Sequence, residues 1–382
     1  MKKIILMVSL AAFAMVSCNR DFMVDNNQGS AIEFRTAVDT RAAELTLDNV
    51  LEFYVTALYE DGSLYFSDTF ARPAGSSTYE YFATTDYYWP ADDYLQFYAY
   101  YPSAAELGVE VKINSTEKGF NGYAPSANIG EQKDFITAAM RTNKANSQGG
   151  VELEFVHQLS QIEIKAKNAN DSYTVKVKEV QIKNVAGSGD FSFVAVGNDW
   201  TPSTDVTASY SIAAAAPITL GASYESLMGA NGNAMLIPQK RIAWGPAVAN
   251  TVEAEGEGEV VEGEGEETPE APEAPAEPET DPTGAYIAFL VQVDAVSGSR
   301  IYPLEGDYGW VVLPVAFDWV SGYKYTYSCD FSQGIGINPT TGKEILGGKI
   351  TFNESFDAWS SGPDEWYTTD MEPKNPGEES NE

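Results

Sequence analysis

Leu51, Phe53, Val55, Ala57 and Tyr59 alternate with other residues along the chain. A period of two sends every second side chain to one face, which predicts a half-buried strand. The turn residues Glu60-Asp61-Gly62-Ser63 follow and then Leu64-Tyr65-Phe66, so a hairpin is expected there. Tyr87-Tyr88-Trp89-Pro90 leads into a second alternating run of Leu95, Phe97, Ala99 and Tyr101. Further strand-like runs cover Ala234 to Ile237, Tyr286 to Val293, Val311 to Leu313 and Tyr323 to Phe331. In the last run Tyr323, Tyr325, Tyr327, Cys329 and Phe331 share one face, opposite Lys324, Thr326, Ser328 and Asp330. That face predicts a buried, inert Cys329. No long stretch carries a 3.6-residue apolar period, so the chain reads as all-β with many short strands.

Two runs change phase. Leu153, Phe155, His157 and Leu159 occupy odd positions, whereas Ile162 and Ile164 occupy even ones. Tyr173, Val175 and Val177 give way to Val180 and Ile182 in the same manner. An extra residue in a strand turns the side chains onto the opposite face. Bulges are therefore expected near Ser160 and Gln161 and near Lys178 and Glu179.

The N-terminus follows a different logic. Lys2 and Lys3 precede an apolar run from Ile4 to Val16, then Ser17 and Cys18. A basic start, a short apolar core and a small residue at the cut point form a signal peptide over residues 1–17. The run is short for a membrane-spanning helix. Cys18 at the first mature position predicts a lipoprotein, although Met15 stands where Leu is usual. Each buried methylene of an acyl chain adds roughly 0.8 kcal/mol of membrane affinity. An ordinary secretory signal with an incidental cysteine is the alternative. Cys329 is the only other cysteine, so no intramolecular disulfide framework forms in the mature chain.

Charge adds two points. The 382 residues hold 23 Lys+Arg against 56 Asp+Glu, a net charge of -33, which repels nucleic acid and anionic lipid. From Glu253 to Asp281 there are twelve Glu and one Asp with no basic residue. That composition predicts a disordered acidic insert over 251–283. A calcium-binding tract would need Asp, Asn and Gly at loop spacing, which the insert lacks. Residues 362–382 read as a polar tail.

Catalytic chemistry is thin. His157 is the single histidine and lies in an alternating strand, an unsuitable place for a general base. His157 and Cys329 are too few for a zinc site, and no phosphate-cradling glycine motif occurs. Paired carboxylates for glycoside hydrolysis remain open by residue type. Trp200, Trp244, Trp310 and Trp319 suit a strand core better than a sugar site. The chain is therefore expected to be no enzyme, with no metal and no cofactor.

Several stretches resemble a known family. They are Ile32-Glu33-Phe34 followed by Thr40-Arg41-Ala42, Tyr88-Trp89-Pro90 leading to Leu95-Gln96-Phe97-Tyr98-Ala99-Tyr100-Tyr101-Pro102, and Asp134-Phe135-Ile136-Thr137-Ala138. Leu153-Glu154-Phe155-Val156-His157-Gln158-Leu159-Ser160 and Trp319-Val320-Ser321-Gly322-Tyr323-Lys324-Tyr325-Thr326-Tyr327 complete the set. Together they resemble the fimbrillin-like lipoproteins, the pilin class of Gram-negative anaerobes of gut and mouth. The resemblance implies two β-sandwich domains of transthyretin-like topology, over 43–186 and 187–361, behind an N-terminal leader over 18–42. It implies a lipid-anchored precursor at the outer membrane and other fimbrial subunits as partners, with a host or bacterial surface ligand for an adhesive member. In polymerising relatives an arginine-specific protease removes the first strand, and a strand of the next subunit fills the groove. Carried over, the removable strand runs from Ala31 to Phe34 with Ile32 and Phe34 inward, and the cut follows Arg41 or, failing that, Arg35. Lys349 to Phe356 is the candidate donor: Ile350, Phe352 and Phe356 share one face, interrupted by Glu354 and followed by the long tail. A surface lipoprotein that does not polymerise, acting as anchor, tip or ligand-binding module, is the alternative.

Overall fold

The computed structural model describes residues 31–38, 50–76, 78–91, 94–194, 197–205, 207–229, 232–245, 280–281 and 283–358. The signal segment, Cys18, Arg41, most of the acidic insert and the polar tail lie outside them. The first strands are β1 (Phe34–Val38), β2 (Glu52–Tyr59), β3 (Leu64–Ala71), β4 (Glu80–Tyr81), β5 (Leu95–Tyr101), β6 (Glu110–Ile113), β7 (Lys118–Tyr123), β8 (Ile136–Thr142) and β9 (Val151–His157). There follow β10 (Ser160–Lys167), β11 (Tyr173–Ala186), β12 (Gly189–Val194), β13 (Gly197–Pro202), β14 (Thr207–Thr219), β15 (Glu225–Ser226), β16 (Ala234–Leu236), β17 (Lys240–Arg241) and β18 (Ala243–Trp244). The last are β19 (Thr280–Asp281), β20 (Tyr286–Ala295), β21 (Arg300–Tyr302), β22 (Gly309–Pro314), β23 (Phe317–Asp318), β24 (Tyr323–Asp330) and β25 (Thr351–Ala358). The α-helix among the described residues, α1 (Ala104–Leu107), is a single turn with Ser103 and Glu106 capping each other. The fold is all-β, as expected.

One sheet curls around its own core. Its order is β3-β2-β5-β8-β9-β1-β4. Ala71 at the end of β3 and Phe82 beyond β4 exchange two backbone hydrogen bonds of 3.0 Å, so the two ends of the sheet meet. Inside lie Phe34, Phe53, Phe70, Tyr81, Phe97, Leu153 and Phe155, all buried. The alternation explains this: Phe53, Val55 and Ala57 point inward, and β9 alternates buried and exposed along its whole length.

A second sheet, β13-β12-β7-β6, lies over the outer face of β2 and β5. Tyr100 contacts Phe120 edge-on at 5.1 Å between ring centroids, and Tyr98 contacts Phe193 at 5.4 Å. Two more sheets, β15-β10-β24-β25 with β16 beside β10 and β14-β11-β20-β21 with β22 beside β20, enclose the largest core. One sheet gives it Ile162, Ile164, Tyr325, Tyr327 and Cys329, and the other gives Val175, Ile182, Phe289, Val291 and Val311.

The bulge expected near Lys178 is present: the register of β11 shifts between Val177 and Glu179 against both β14 and β20. The one expected near Ser160 is not a bulge. At Gln158 and Leu159 the chain leaves one sheet and enters another, so the apolar face changes because the core changes. The strap is fixed on both sides. The Gln158 backbone N–H donates to the Phe135 carbonyl at 2.9 Å, and Trp200 Nε1 and Ser321 Oγ donate to the Gln158 carbonyl. The sheets draw on strands from both sides of residues 186 and 187. β10 and β11, before that point, pair with β24 and β20, whereas β12 and β13, after it, join β7.

Candidate functional site

β1 is a stave in a closed wall. It runs parallel to β9, with Phe34 beside Val151 and Val38 beside Phe155, and antiparallel to β4, with Phe34 opposite Tyr81. Just before it, Ile32 N–H donates to the Tyr87 carbonyl at 2.6 Å, and Val151 N–H donates to the Glu33 carbonyl at 2.7 Å. Gly150 makes that last approach possible: its φ is +101°, and an added Cβ would stand 3.3 Å from the Glu33 oxygen. Ile32 and Phe34 are buried among the core aromatics. The Phe34 ring meets Phe70, Phe97 and Phe53 edge-on at 4.6, 5.3 and 6.1 Å. Thr36 faces the same way and is also buried.

The opposite face of the stave is polar. Arg35 is exposed and reaches Glu80 on β4 at 3.3 Å. It lies within β1, one residue beyond the Ala31 to Phe34 strand expected from sequence, and its backbone is laddered to both neighbours. The more favoured cut site, Arg41, is outside the described residues, as is the lipidation residue Cys18.

β25 is held differently. It pairs along its full length with β24 on one edge only, and all eight of its residues are exposed. Phe352 and Phe356 remain 40% and 37% exposed, leaning on Tyr327 and on Tyr323 and Tyr325. Ile350, just before the strand, is buried in the largest core. Glu354 accepts from the Tyr327 hydroxyl at 2.9 Å, and that hydroxyl accepts from Trp319 Nε1 at 3.0 Å. Partial burial pushes the Glu354 carboxyl above its ordinary range, and nearby Asp318 adds to it, against the Tyr327 hydrogen bond. The loop leading to β25 crosses itself where Gly334 touches Gly348, and any side chain at either position would collide with backbone. β1 and β25 belong to different sheets, so the removable and donor segments are not brought together in one molecule.

His157 is buried at the end of β9 with Nδ1 2.7 Å from Asp134 Oδ2. The pair tightens the chain near the strap. Cys329 is fully buried, which pushes its thiol far above the ordinary range. Trp319 is buried and stacked on Phe317 at 4.3 Å. Among the described residues no group of three or more His, Cys, Asp or Glu side chains converges on one point. Sequence reasoning missed β4 and Tyr87 as the second support of β1, because a two-residue strand carries no periodicity of its own.

The described residues thus form a curled all-β wall with β1 built into it and a two-sheet unit that ends in an exposed edge strand. The fimbrillin-like family model matches residues 40–351, and the chain belongs to that family. The matched span begins after β1 and ends at the first residue of β25. A fimbrial protein of Bacteroides vulgatus shares the fold at 12% identity and a TM-score of 0.55, covering 87% of this chain and 100% of its own. The fimbrial anchor protein Mfa2 of Porphyromonas gingivalis aligns at 10% identity and a TM-score of 0.37, over 87% of this chain and 98% of its own. No curated protein sequence matches the chain.

Proposed function

We propose that this chain is a subunit of a cell-surface fimbrium, made as a precursor lipidated at Cys18 and assembled by replacement of its first strand. Its role is structural and adhesive rather than catalytic, and its partners are other fimbrial subunits and the outer membrane. Membership in the fimbrillin-like family supports the fimbrial role. The observation that carries the assembly reading is β1: one short strand is bonded on both edges, and Phe34 within it and Ile32 just before it fill the core. A cut after Arg41 removes all of it, whereas a cut after Arg35 leaves Thr36 to Val38 of the strand behind. The vacated slot offers unpaired backbone groups over an apolar floor. A strand that seats four or five side chains there gains about 6–15 kcal/mol as an upper estimate. β25 is the donor, because its residues are exposed at an edge and Phe352 and Phe356 gain most from burial.

Glu354 on the inner face of β25 supports a second reading, an anchor or tip subunit that receives a strand and donates none. Trimming purified protein with an arginine-specific protease separates the two. A new N-terminus at Ala42 with detergent-resistant ladders on a gel is expected for a shaft subunit. Trimming without ladders assigns the chain to one end of the fibre. No trimming at either arginine sinks strand removal altogether.

A further inference from the structure

The four tryptophans expected to serve a strand core divide into two pairs. Trp200 and Trp319 pack against core clusters, and their indole N–H groups donate to the Gln158 carbonyl and the Tyr327 hydroxyl. Trp244 and Trp310 join no core and are half-buried, and among the described residues neither indole N–H has an acceptor. An indole carries a large apolar area and one donor, so a ring left half-open with its donor unused is suited to contact from outside. Both rings lie on the outer face of the sheet built on β11, β20 and β22. Ile287, Phe289, Val291, Val311 and Leu313 fill the core beneath, so the alternate residues of β20 and β22 face away from it.

The register arranges this face in rows. Trp310 stands opposite Leu290, Val312 opposite Ala288, and Pro314 opposite Tyr286, whose ring meets Trp244 at 5.9 Å. Ala288 and Val312 are only 2% exposed, so the larger side chains on either side form the surface. Trp310 and Pro314 are four residues apart, about 13 Å along the strand. Two ring-bearing stations therefore lie in line with small residues between them. Polar side chains run along one flank, because Lys183, Gln181 and Glu179 of β11 stand opposite Tyr286, Ala288 and Leu290. Gln181 Nε2 donates to Glu179 Oε1 at 2.7 Å, which leaves the Gln181 oxygen to accept. Lys183 has no ion-pair partner among the described residues. The other cations of the face are met from within: Lys176 and Arg300 reach Asp294 at 3.8 and 2.7 Å, and Lys178 lies 5.3 Å from the centre of the Tyr308 ring.

We propose that this face binds a neutral hexose oligosaccharide lying along β20 and β22, with one sugar stacked at Trp310 and another at Tyr286 and Trp244. The C–H faces of a pyranose lie against the rings, and its hydroxyls donate to the Gln181 and Glu179 oxygens and accept from Lys183 and the two indole N–H groups. Charge selects a neutral sugar. β18 pairs with β19, so the segment with twelve Glu between them leaves and rejoins the sheet beside Trp244, and its field repels an acidic saccharide. The site goes beyond strand replacement: it belongs to the sheet opposite β24 and β25 and is complete in the untrimmed monomer.

The test titrates untrimmed full-length protein with neutral gluco-, galacto- and manno-configured oligosaccharides, and with oligogalacturonate as the acidic counterpart, followed by calorimetry and tryptophan fluorescence. One of the neutral series is expected to bind and to change the fluorescence. Trp310→Ala and Trp244→Ala should each weaken that binding roughly tenfold or more, as truncation of a central ring does. Tyr88→Ala removes an exposed ring elsewhere and should leave the affinity unchanged. Circular dichroism checks that each variant is folded. No binding of any neutral series, tighter binding of oligogalacturonate, or binding indifferent to both tryptophans overturns the proposal, and each of these leaves strand replacement intact. A dimer of untrimmed protein that Trp310→Ala breaks into monomers would give the face to a second copy and overturn the saccharide as well.

Discussion

Phe34 and Phe352 are the same residue type in opposite circumstances, and the difference is measurable. Phe34 is fully buried against three aromatic rings, whereas Phe352 is 40% exposed on an edge strand. Phe34→Ala leaves a cavity that the rigid wall cannot close, at a cost of about 3–5 kcal/mol. Phe352→Ala costs about 1 kcal/mol or less in the untrimmed monomer. Urea unfolding followed by fluorescence distinguishes them, and equal losses would mean that β25 is as firmly packed as β1. Cys329 gives a second residue-scale expectation. Burial holds its thiol protonated, and a thiolate is the reactive form. In a Cys18→Ser background the native protein should not react with an aromatic disulfide reagent at neutral pH, and should release one equivalent after unfolding. Fast native labelling would put Cys329 at a surface. Glu163 supplies a pH dependence. Burial alone would raise its carboxyl, but Lys324 and Lys165 outweigh it and hold the carboxyl below its ordinary range. A depressed folded value contributes stability that is complete above the unfolded value and is lost as pH falls through the folded one. Glu163→Gln should therefore lower the thermal midpoint at neutral pH, with the gap narrowing in acid. A gap that stays constant with pH would assign the loss to packing.

At the scale of elements, the edge strand and the stave should respond differently to removal. β25 has one neighbour and no buried residue, so a chain ended after Ile350 should keep its circular dichroism and unfold at a slightly lower temperature. Deleting residues 31–38 removes a strand with two neighbours and two core side chains, and should expose the groove and promote aggregation. Protease choice follows the same logic. The bond after Arg35 is laddered on both edges and opens only by local unfolding, so trimming should yield Ala42 rather than Thr36 as the new N-terminus. The sequence made some of these elements legible and hid others. β9 and β24 are readable because each has one buried face and therefore a clean period of two, and β2 and β5, though covered on both faces, still place Phe53, Val55 and Ala57 and Leu95, Phe97 and Ala99 on alternate positions. The bulge of β11 was readable because both neighbours continue across it. The passage at Gln158 was misread because a slip of phase looks the same whether the strand bulges or the chain moves to another core. The pairing of β12 with β7 was not legible, because β7 lies far back in the chain and pairing over such a separation leaves no local trace. β1 was too short to announce itself by period and was legible only through the family resemblance.

For the whole molecule, charge and apolar burial act on different steps of assembly. A net charge of -33 makes two approaching copies repel, and 13 of the negative charges fall between Glu253 and Asp281. Screening falls off over about 30 Å at 0.01 M salt and about 8 Å at 0.15 M. Encounter of trimmed subunits should therefore quicken with salt, by roughly tenfold or more over that range. The seated strand is held by buried aromatic and aliphatic side chains, which screening does not weaken. Dissociation of formed multimers should accordingly change little with salt. Light scattering after trimming gives the first rate, and dilution of labelled multimers into unlabelled subunits gives the second. Deleting 253–279, which hold the twelve Glu and stop short of β19, should raise the low-salt rate toward the high-salt one without altering dissociation. If the deletion leaves the rate unchanged, repulsion arises from the folded sheets rather than the insert. If salt speeds dissociation as much as association, the joint is electrostatic, and the apolar slot does not hold the fibre together.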